Sequence, residues 1–530
     1  MRPDDRDAAA KTWREAARAF FHPRVLAMLS FGFAAGTPYL LIFGTLSVWL
    51  REAEVERSTL TFFSWAALGY SFKYVWAPLV DRLPVPGLTA RLGRRRAWML
   101  LSQLAIIAAI LGMAASDPRT SLVWTGLTAV FLGFSAATQD IAIDAYRIEA
   151  VHKDLQAMMS SAYIAGYRIG MIVAGAGALT LASAFGGGGA YSYAAWAGTY
   201  ACMALVMLVG VGTTLAVAEP EPRARPDGTA VWKTTDYLRF LVLFALAAAT
   251  FVSGFVLSAA PAEGLKPQLT RDFGLPQHLA GFLVEASRLA FSVALAALAG
   301  WLVVRLRGAP AALLRQSYVE PFADFVRRYG KVALFVLLLI GTYRISDIVM
   351  GAIANVFYLD MGYTKEQIAA ISKTFGLAMT IAGGFLGGVL SVRYGLLRIL
   401  FLGALLSSAT NLLFVYLAHT GNEPWLLVMV IVADNVSGGL AQAAFIAYLS
   451  SLTSFSFTAT QYALFSSIMT LFPKVLAGYS GMMVDSVGYA WFFTGTALIG
   501  LPVLLLVVLV GRTVPAGESR ASSEAEGQTR

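Results

Sequence analysis

The chain has 530 residues, 58% of them hydrophobic and only 13% charged, about half the charged share of an ordinary soluble domain, which excludes a water-soluble globular enzyme. Its net charge of +9 would suit a nucleic-acid partner, but the basic residues flank long apolar runs instead of forming a stripe, and that is the positive-inside pattern of a membrane protein. The single cysteine, Cys202, sits within an apolar run and leaves room for neither an internal disulfide nor a multi-cysteine metal site.

Residues 1–23 mix Arg2, Arg6, Lys11, Arg14 and Arg18 with Asp4, Asp5 and Asp7, and they lack the short apolar core of a cleavable signal peptide. Trp13, Ala17 and Phe20 share one helical face, so this segment is expected on the cytoplasmic membrane surface. Apolar runs long enough to cross ~30 Å of hydrocarbon follow near 24–50, 58–80, 97–115, 121–147, 156–182 and 190–217. None alternates with period two, so they read as helices and not as barrel strands. A Pro-rich charged linker, Glu219 to Asp227, precedes two further spans near 236–260 and 277–304, joined by an external loop at 261–276 where Lys266 and Arg271 are offset by Glu263 and Asp272. Between Pro310 and Lys331 the apolar Leu314, Tyr318, Phe322 and Phe325 recur at helical spacing among charges, which predicts an interfacial helix. Six last spans lie near 332–359, 365–391, 395–418, 424–450, 459–484 and 489–511, and the tail 512–530, without aromatics, is expected to be disordered. With fourteen alternating spans, the 81–96 loop, both linkers, Arg393 and Arg398 fall on one side, and both termini are cytoplasmic.

The first and last six-span blocks, 24–217 and 331–511, are weakly alike. A long helix ending at Val48-Trp49-Leu50 is echoed by one ending at Phe357-Tyr358-Leu359, and Ala145-Tyr146 followed by Gln156 is echoed by Ala447-Tyr448 and Gln461. Two six-helix bundles, with residues 218–330 holding the linkers, two inserted helices and the interfacial helix, make an all-α membrane fold of internal repeats. This resembles the major facilitator architecture. That family usually carries Gly-x3-Asp-Arg-x-Gly-Arg-Arg after the second span, while here Pro78-Leu79-Val80-Asp81-Arg82 is followed by a longer loop and then Gly93-Arg94-Arg95-Arg96. The resemblance implies a cytoplasmic gate made of Asp81, Arg82, Arg94 and Arg95; the alternative is a set of topology anchors.

Finer motifs resemble the AmpG-type muropeptide permeases, a branch that also holds eukaryotic acetyl-CoA transporters. They include Gly32-Phe33-Ala34-Ala35-Gly36-Thr37-Pro38, Phe72 to Arg82, Ala137-Thr138-Gln139-Asp140-Ile141 with Asp144-Ala145, Gly166-Tyr167-Arg168-Ile169-Gly170-Met171, Tyr343-Arg344 with Asp347, Lys373-Thr374 with Gly376, Asp434-Asn435 with Gly438-Gly439, and Ser456 to Leu464. The resemblance implies a non-enzymatic, cofactor-free and monomeric multi-pass protein of the bacterial inner membrane. Its implied role is to import N-acetylglucosaminyl-1,6-anhydro-N-acetylmuramyl peptides for cell-wall recycling, driven by protons. Acetyl-CoA or a sugar is the alternative solute, and a membrane-embedded enzyme or a muropeptide sensor are the competing classes.

Charges at bilayer depth are functional candidates because each costs about 2.5 to 3.5 kcal/mol on insertion scales. Asp140 and Asp144, four apart, share one face of the fourth span, with Arg147 one turn beyond and Arg168 of the fifth span as the expected cross-helix partner. The two carboxylates and Arg168 are candidates for proton coupling, against a permanent salt bridge between the spans. Lys73 lies mid-span among Phe72, Tyr74 and Trp76, which favours a cavity position over snorkelling. Arg344, Asp347 and Lys373 form a second polar set in the last block. For a peptide-bearing sugar, the cations suit carboxylates, the amides Gln139, Asn355, Asn435 and Gln442 suit hydroxyls and N-acetyl groups, and Tyr39, Trp76, Tyr167 and Tyr343 suit sugar faces. Glu285 and Arg288 read as a local ion pair, and the histidines, all in loops or at helix ends, point to no metal.

Overall fold

The computed structural model describes residues 21–55, 70, 72–151, 155–186, 191–221, 233–275, 277–306, 310–364, 367–477 and 479–513. The expected amphipathic segment before residue 21, the upper part of the second span, His152, most of the Glu219 to Asp227 linker and the tail beyond Thr513 lie outside them. The chain divides into two compact units, Met1–Arg223 with Asp324–Arg530, and Ala224–Ala323.

In the larger unit the first span is α1 (Pro23–Leu40), opened by His22, whose ring accepts from Arg24 N, and by Pro23, whose missing N–H is harmless in a first turn. Pro38 removes one helical hydrogen bond, and directly beyond it the chain widens into a π turn, Leu41–Thr45, before α2 (Leu46–Glu52). A tight turn, Lys73–Val75, leads to α3 (Ala77–Arg82), and the block continues with α4 (Arg94–Ala114), α5 (Leu122–Ala150), α6 (Gln156–Ile172), α7 (Ala178–Gly186), α8 (Tyr193–Val206) and α9 (Leu208–Ala216). The smaller unit holds α10 (Thr234–Leu257), α11 (Ala259–Phe273) and α12 (Gln277–Arg305). The helix α13 (Glu320–Tyr329) covers the second half of the predicted interfacial stretch. Beyond it come α14 (Ala333–Thr342), α15 (Ile345–Asp360), a π segment Ile368–Phe375, α16 (Gly376–Tyr394), α17 (Leu396–Thr420), α18 (Pro424–Leu452), α19 (Thr458–Ala477) and α20 (Ser480–Thr513). At Gly488, whose φ is 78°, the backbone of α20 leaves helical geometry, so the last span proper starts at Tyr489.

Among the described residues eleven helices are long and apolar enough to cross a bilayer. Three predicted spans fall outside that set: the first, which is divided into α1, a π turn and α2; the second, which is described only in part; and α19, which carries Thr458, Thr460, Gln461 and Lys474. One expectation is corrected. The external loop at 261–276 is largely the helix α11, because Pro261 sits in its first turn and Pro267 removes a single helical bond. Lys266 is neutralised by Glu285 of α12 at 2.9 Å, and Glu285 also pairs with Arg288 at 2.7 Å.

The internal repeat is visible in the helices. Both α5 and α18 run 29 residues, and the Ala-Tyr pair occupies the twenty-fourth and twenty-fifth positions of each. Glycines set the closest approaches. A methyl on Gly32 or Gly36 of α1 would overlap the carbonyls of Tyr163 and Tyr167, and one on Gly166 or Gly170 of α6 would overlap those of Leu29 and Phe33. This reciprocal small-residue crossing seats α1 on α6 backbone to backbone. In the last block the same device joins α16 to α18, with Gly383 against Val436 and Gly439 against Thr380. Each block also has its own apolar core, with Trp49 stacked on Trp196 at 5.7 Å in the first and Phe357 against Phe493 at 4.8 Å in the last.

Candidate functional site

Asp140 and Asp144 lie one turn apart on α5 and are both buried. Pro78, near the start of α3, lacks an N–H, and the turn before it tightens so that buried Lys73 reaches the two carboxylates at 4.0 and 3.5 Å. Asp144 also accepts from Arg147 Nη2 at 3.2 Å. The fully buried Arg147 then donates to Ser160 at 2.9 Å and to Ser450 of the other block at 2.8 Å, with its guanidinium over the ring of Tyr462. Two carboxylates and two cations thus form a continuous chain, Asp140, Lys73, Asp144, Arg147, in which each buried charge has an opposite neighbour. Tyr163 donates to Asp140 at 3.3 Å, and Tyr39, Tyr70, Tyr163 and Tyr167 form an aromatic cluster beside it.

The expected partner of this pair is corrected. Lys73, and not Arg168, is the cross-helix cation, while Arg168 makes no ion pair or hydrogen bond among the described residues. Three further expectations change in this conformation. Gln139 is fully buried and its amide finds no partner among the described residues, so it lines no open wall. Tyr343 is core, stacked on Phe445 at 4.2 Å with its hydroxyl donating to Leu400 O at 2.9 Å. Trp76 is buried too, bonded to Thr138 at 3.1 Å and packed on Phe134. Burial won in each case because a large ring or amide on a span finds more contact between helices than toward a cavity.

In the last block Arg344 stands just before α15 and donates through Nε to Asp347 at 3.2 Å. Asn435 bridges α18 to α16, accepting from Thr380 at 2.8 Å and donating to Ile431 O. Gln442 occupies the nineteenth position of α18, where α5 has Asp140, and makes no hydrogen bond among the described residues. Lys373 lies on the π segment, with its side chain outside the described part, and Asn355 is exposed on α15. Asp434, a residue of the sequence motif to which no role was given, lies within electrostatic reach of Asp347 and Arg344.

The blocks are fastened together at the end carrying the basic loops. Asp81 Oδ1 accepts from Ala459 N at 3.1 Å, while Oδ2 accepts from Thr460 N at 2.8 Å and Thr460 Oγ1 at 2.7 Å, so this carboxylate of α3 caps the N-terminus of α19 in the other block. A helix N-terminus presents free N–H groups and a positive dipole end, which is where an anion is best held. Arg95 pairs with Asp81 at 2.9 Å and with Glu149 at 2.5 Å, Arg94 donates to Asp81 O at 2.7 Å, and Arg82 lies over the Phe457 ring at 5.3 Å. Burial would raise the Asp81 carboxyl, but the charges of Arg95 and Arg94 and the bonds from Thr460 outweigh it and hold it below its ordinary range. Ser161 Oγ donating to Gly384 O at 2.7 Å closes the same end. Sequence reasoning missed Glu149, Thr460 and Ser450, and also Glu219, whose carboxylate caps α4 through Arg95 N and Arg96 N at 2.8 and 3.0 Å. Only the Thr-Ala-Thr start of α19 carried a local signal, that of a helix N-terminus. Among the described residues no group of three His, Cys, Asp or Glu could hold a metal ion.

This geometry, two repeated helical blocks joined across buried charges, is that of a major facilitator fold. Solved structures agree: the Escherichia coli fucose:proton symporter FucP aligns with a TM-score of 0.59 at 9% identity over 93% of this chain and 98% of that one. The proton:xylose symporter XylE aligns at 0.56 and 12% identity over 95% and 97%. A major facilitator superfamily model matches residues 332–530, and an acetyl-coenzyme A transporter 1 model matches residues 25–185. Along nearly its whole length the chain is similar to AmpG-type transporters. It is 27% identical to the anhydromuropeptide permease of Escherichia coli over 94% of this chain and 82% of that protein, and 28% identical to the Rickettsia felis protein called AmpG 4 over 93% and 97%. The chain is a multi-pass transporter of the bacterial inner membrane with the major facilitator fold.

Proposed function

We propose that this protein imports anhydro-muropeptides from periplasm to cytoplasm by alternating access, with protons driving uptake. The similarity to anhydromuropeptide permeases over more than nine-tenths of the chain supports the solute. One observation supports the coupling: Asp144 holds both Lys73 and Arg147, and Arg147 is also bonded to Ser450 across the blocks. A proton taken by Asp144 or Asp140 removes the charge that orients Lys73 and Arg147, and Arg147 is then free to leave Ser450. Protonation from the periplasmic side thereby loosens the cytoplasmic fastening, and proton release to the cytoplasm rebuilds it. Coupling and the structural ion pair are two uses of one chain of charges, since a pair that breaks on protonation is also what holds the resting state.

The test is uptake of labelled anhydro-muropeptide into proteoliposomes under an imposed pH gradient. Uphill accumulation that collapses with the gradient is expected; labelled product points to an enzyme, binding without accumulation to a sensor, and both refute the reading. The acetyl-coenzyme A transporter model over residues 25–185 favours a second solute, acetyl-CoA, and competition by unlabelled acetyl-CoA in the same assay decides between them.

A further inference from the structure

Resting on that reading, we propose that Arg168 and Arg344 form a clamp for a carboxylate of the solute's peptide, held between the two blocks. Arg168 lies twelve residues into α6 and Arg344 eleven residues beyond the start of α14. At 1.5 Å per residue both stand about 17 Å from the same membrane face, near the middle of a ~30 Å core. They come from opposite blocks, and the ionised group that acts on Arg168 is the like charge of Arg344; its other electrical neighbours, Tyr167 and Tyr39, are phenols. Arg168 is only partly buried and makes no ion pair or hydrogen bond among the described residues. Arg344 spends its Nε on Asp347, which leaves its two terminal nitrogens for another acceptor.

Two guanidinium groups within electrostatic reach of each other at bilayer depth repel, and a cation without a counter-ion there is costly. One carboxylate between them satisfies both, with the planar forks accepting its two oxygens. The solute then completes the charge balance of the cavity, and its anion favours the approach of the two blocks. Asp140 and Asp144 of the first block are unavailable for this role because Lys73 and Arg147 already hold them. Asp434 and Asp347 flank Arg344 from its own block.

The experiment measures binding of two probes to the purified full-length protein: an anhydro-muropeptide with free peptide carboxylates, and the same compound with those carboxylates amidated. Charge-assisted bonds to one carboxylate predict that R168A and R344A each weaken the free-acid probe by roughly tenfold to a hundredfold. R168K should recover part of the loss, because it keeps the charge without the fork. Amidation should weaken binding to the parental protein by a similar factor, and R168A and R344A should then bind the amidated probe no more weakly than the parental protein does. If amidation leaves parental affinity unchanged, or if the substitutions weaken both probes equally, the clamp is wrong while the proposed solute stands. If the free-acid probe does not bind the parental protein, the solute itself is wrong. The amidation arm needs no variant, so it decides the matter even where a substitution fails to fold.

Discussion

The fastening at the basic-loop end can be weakened by one atom. In Asp81→Asn the side chain keeps its shape but loses its charge and one acceptor, while Ala459 N, Thr460 N and Thr460 Oγ1 still present three donors. Hydrogen bonds to a charged group contribute about 1.5 to 3 kcal/mol each, and neutral ones about 0.5 to 1.5. Losing one bond outright and the charge assistance of the others, with Arg95 retained by Glu149, therefore removes about 3 kcal/mol from the closed arrangement. At 1.4 kcal/mol per factor of ten, that is roughly a hundredfold shift toward the state open at this end. The assay is pulsed electron paramagnetic resonance on Cys202→Ala protein with spin labels at the exposed positions Ala90→Cys and Ser456→Cys, one on each block. Asp81→Asn should move the distance distribution to longer values. A distribution superimposable on the parental one, at equal folded yield, would refute the capping argument.

The same carboxylate sets a pH dependence. Because Asp81 is held below its ordinary range, the fastening is at full strength above the usual carboxylate pKa and is lost as pH falls through the depressed value; the label distance should therefore be flat between pH 7 and 5 and lengthen only in stronger acid. Lys73→Ala leaves Asp140 buried without a cation while Asp144 keeps Arg147, which should destabilise the protein by about 3 to 5 kcal/mol, seen as a lower melting temperature, and Lys73→Ala with Asp140→Asn should recover much of it. Asp144→Asn should retain solute counterflow yet lose accumulation against a gradient; unimpaired uphill transport would exclude Asp144 from coupling. Gly166→Ala puts a methyl into Leu29 O, a backbone atom that cannot swing away, and should cost about 1 to 3 kcal/mol in thermal stability where the same change at Gly264, with open space around it, costs little.

The sequence alone determined what depends on neighbours within a turn or two of the chain. Span length and the sharing of one face by Asp140 and Asp144 follow from helical rise and pitch, and the Ala-Tyr pairs marked a repeat that α5 and α18 display. The 261–276 segment was misread because two prolines resemble loop punctuation, yet one sits in a tolerated first turn. Tertiary structure decided which faces meet. Lys73 rather than Arg168 reaches the carboxylates because the Gly32, Gly36, Gly166 and Gly170 crossing fixes how α6 sits on α1, and no local pattern encodes that rotation. Asp81 looked like part of a basic-loop motif, but what it caps is the first turn of a helix in the other block, and a free N-terminus acquires its anion only once the two blocks are packed.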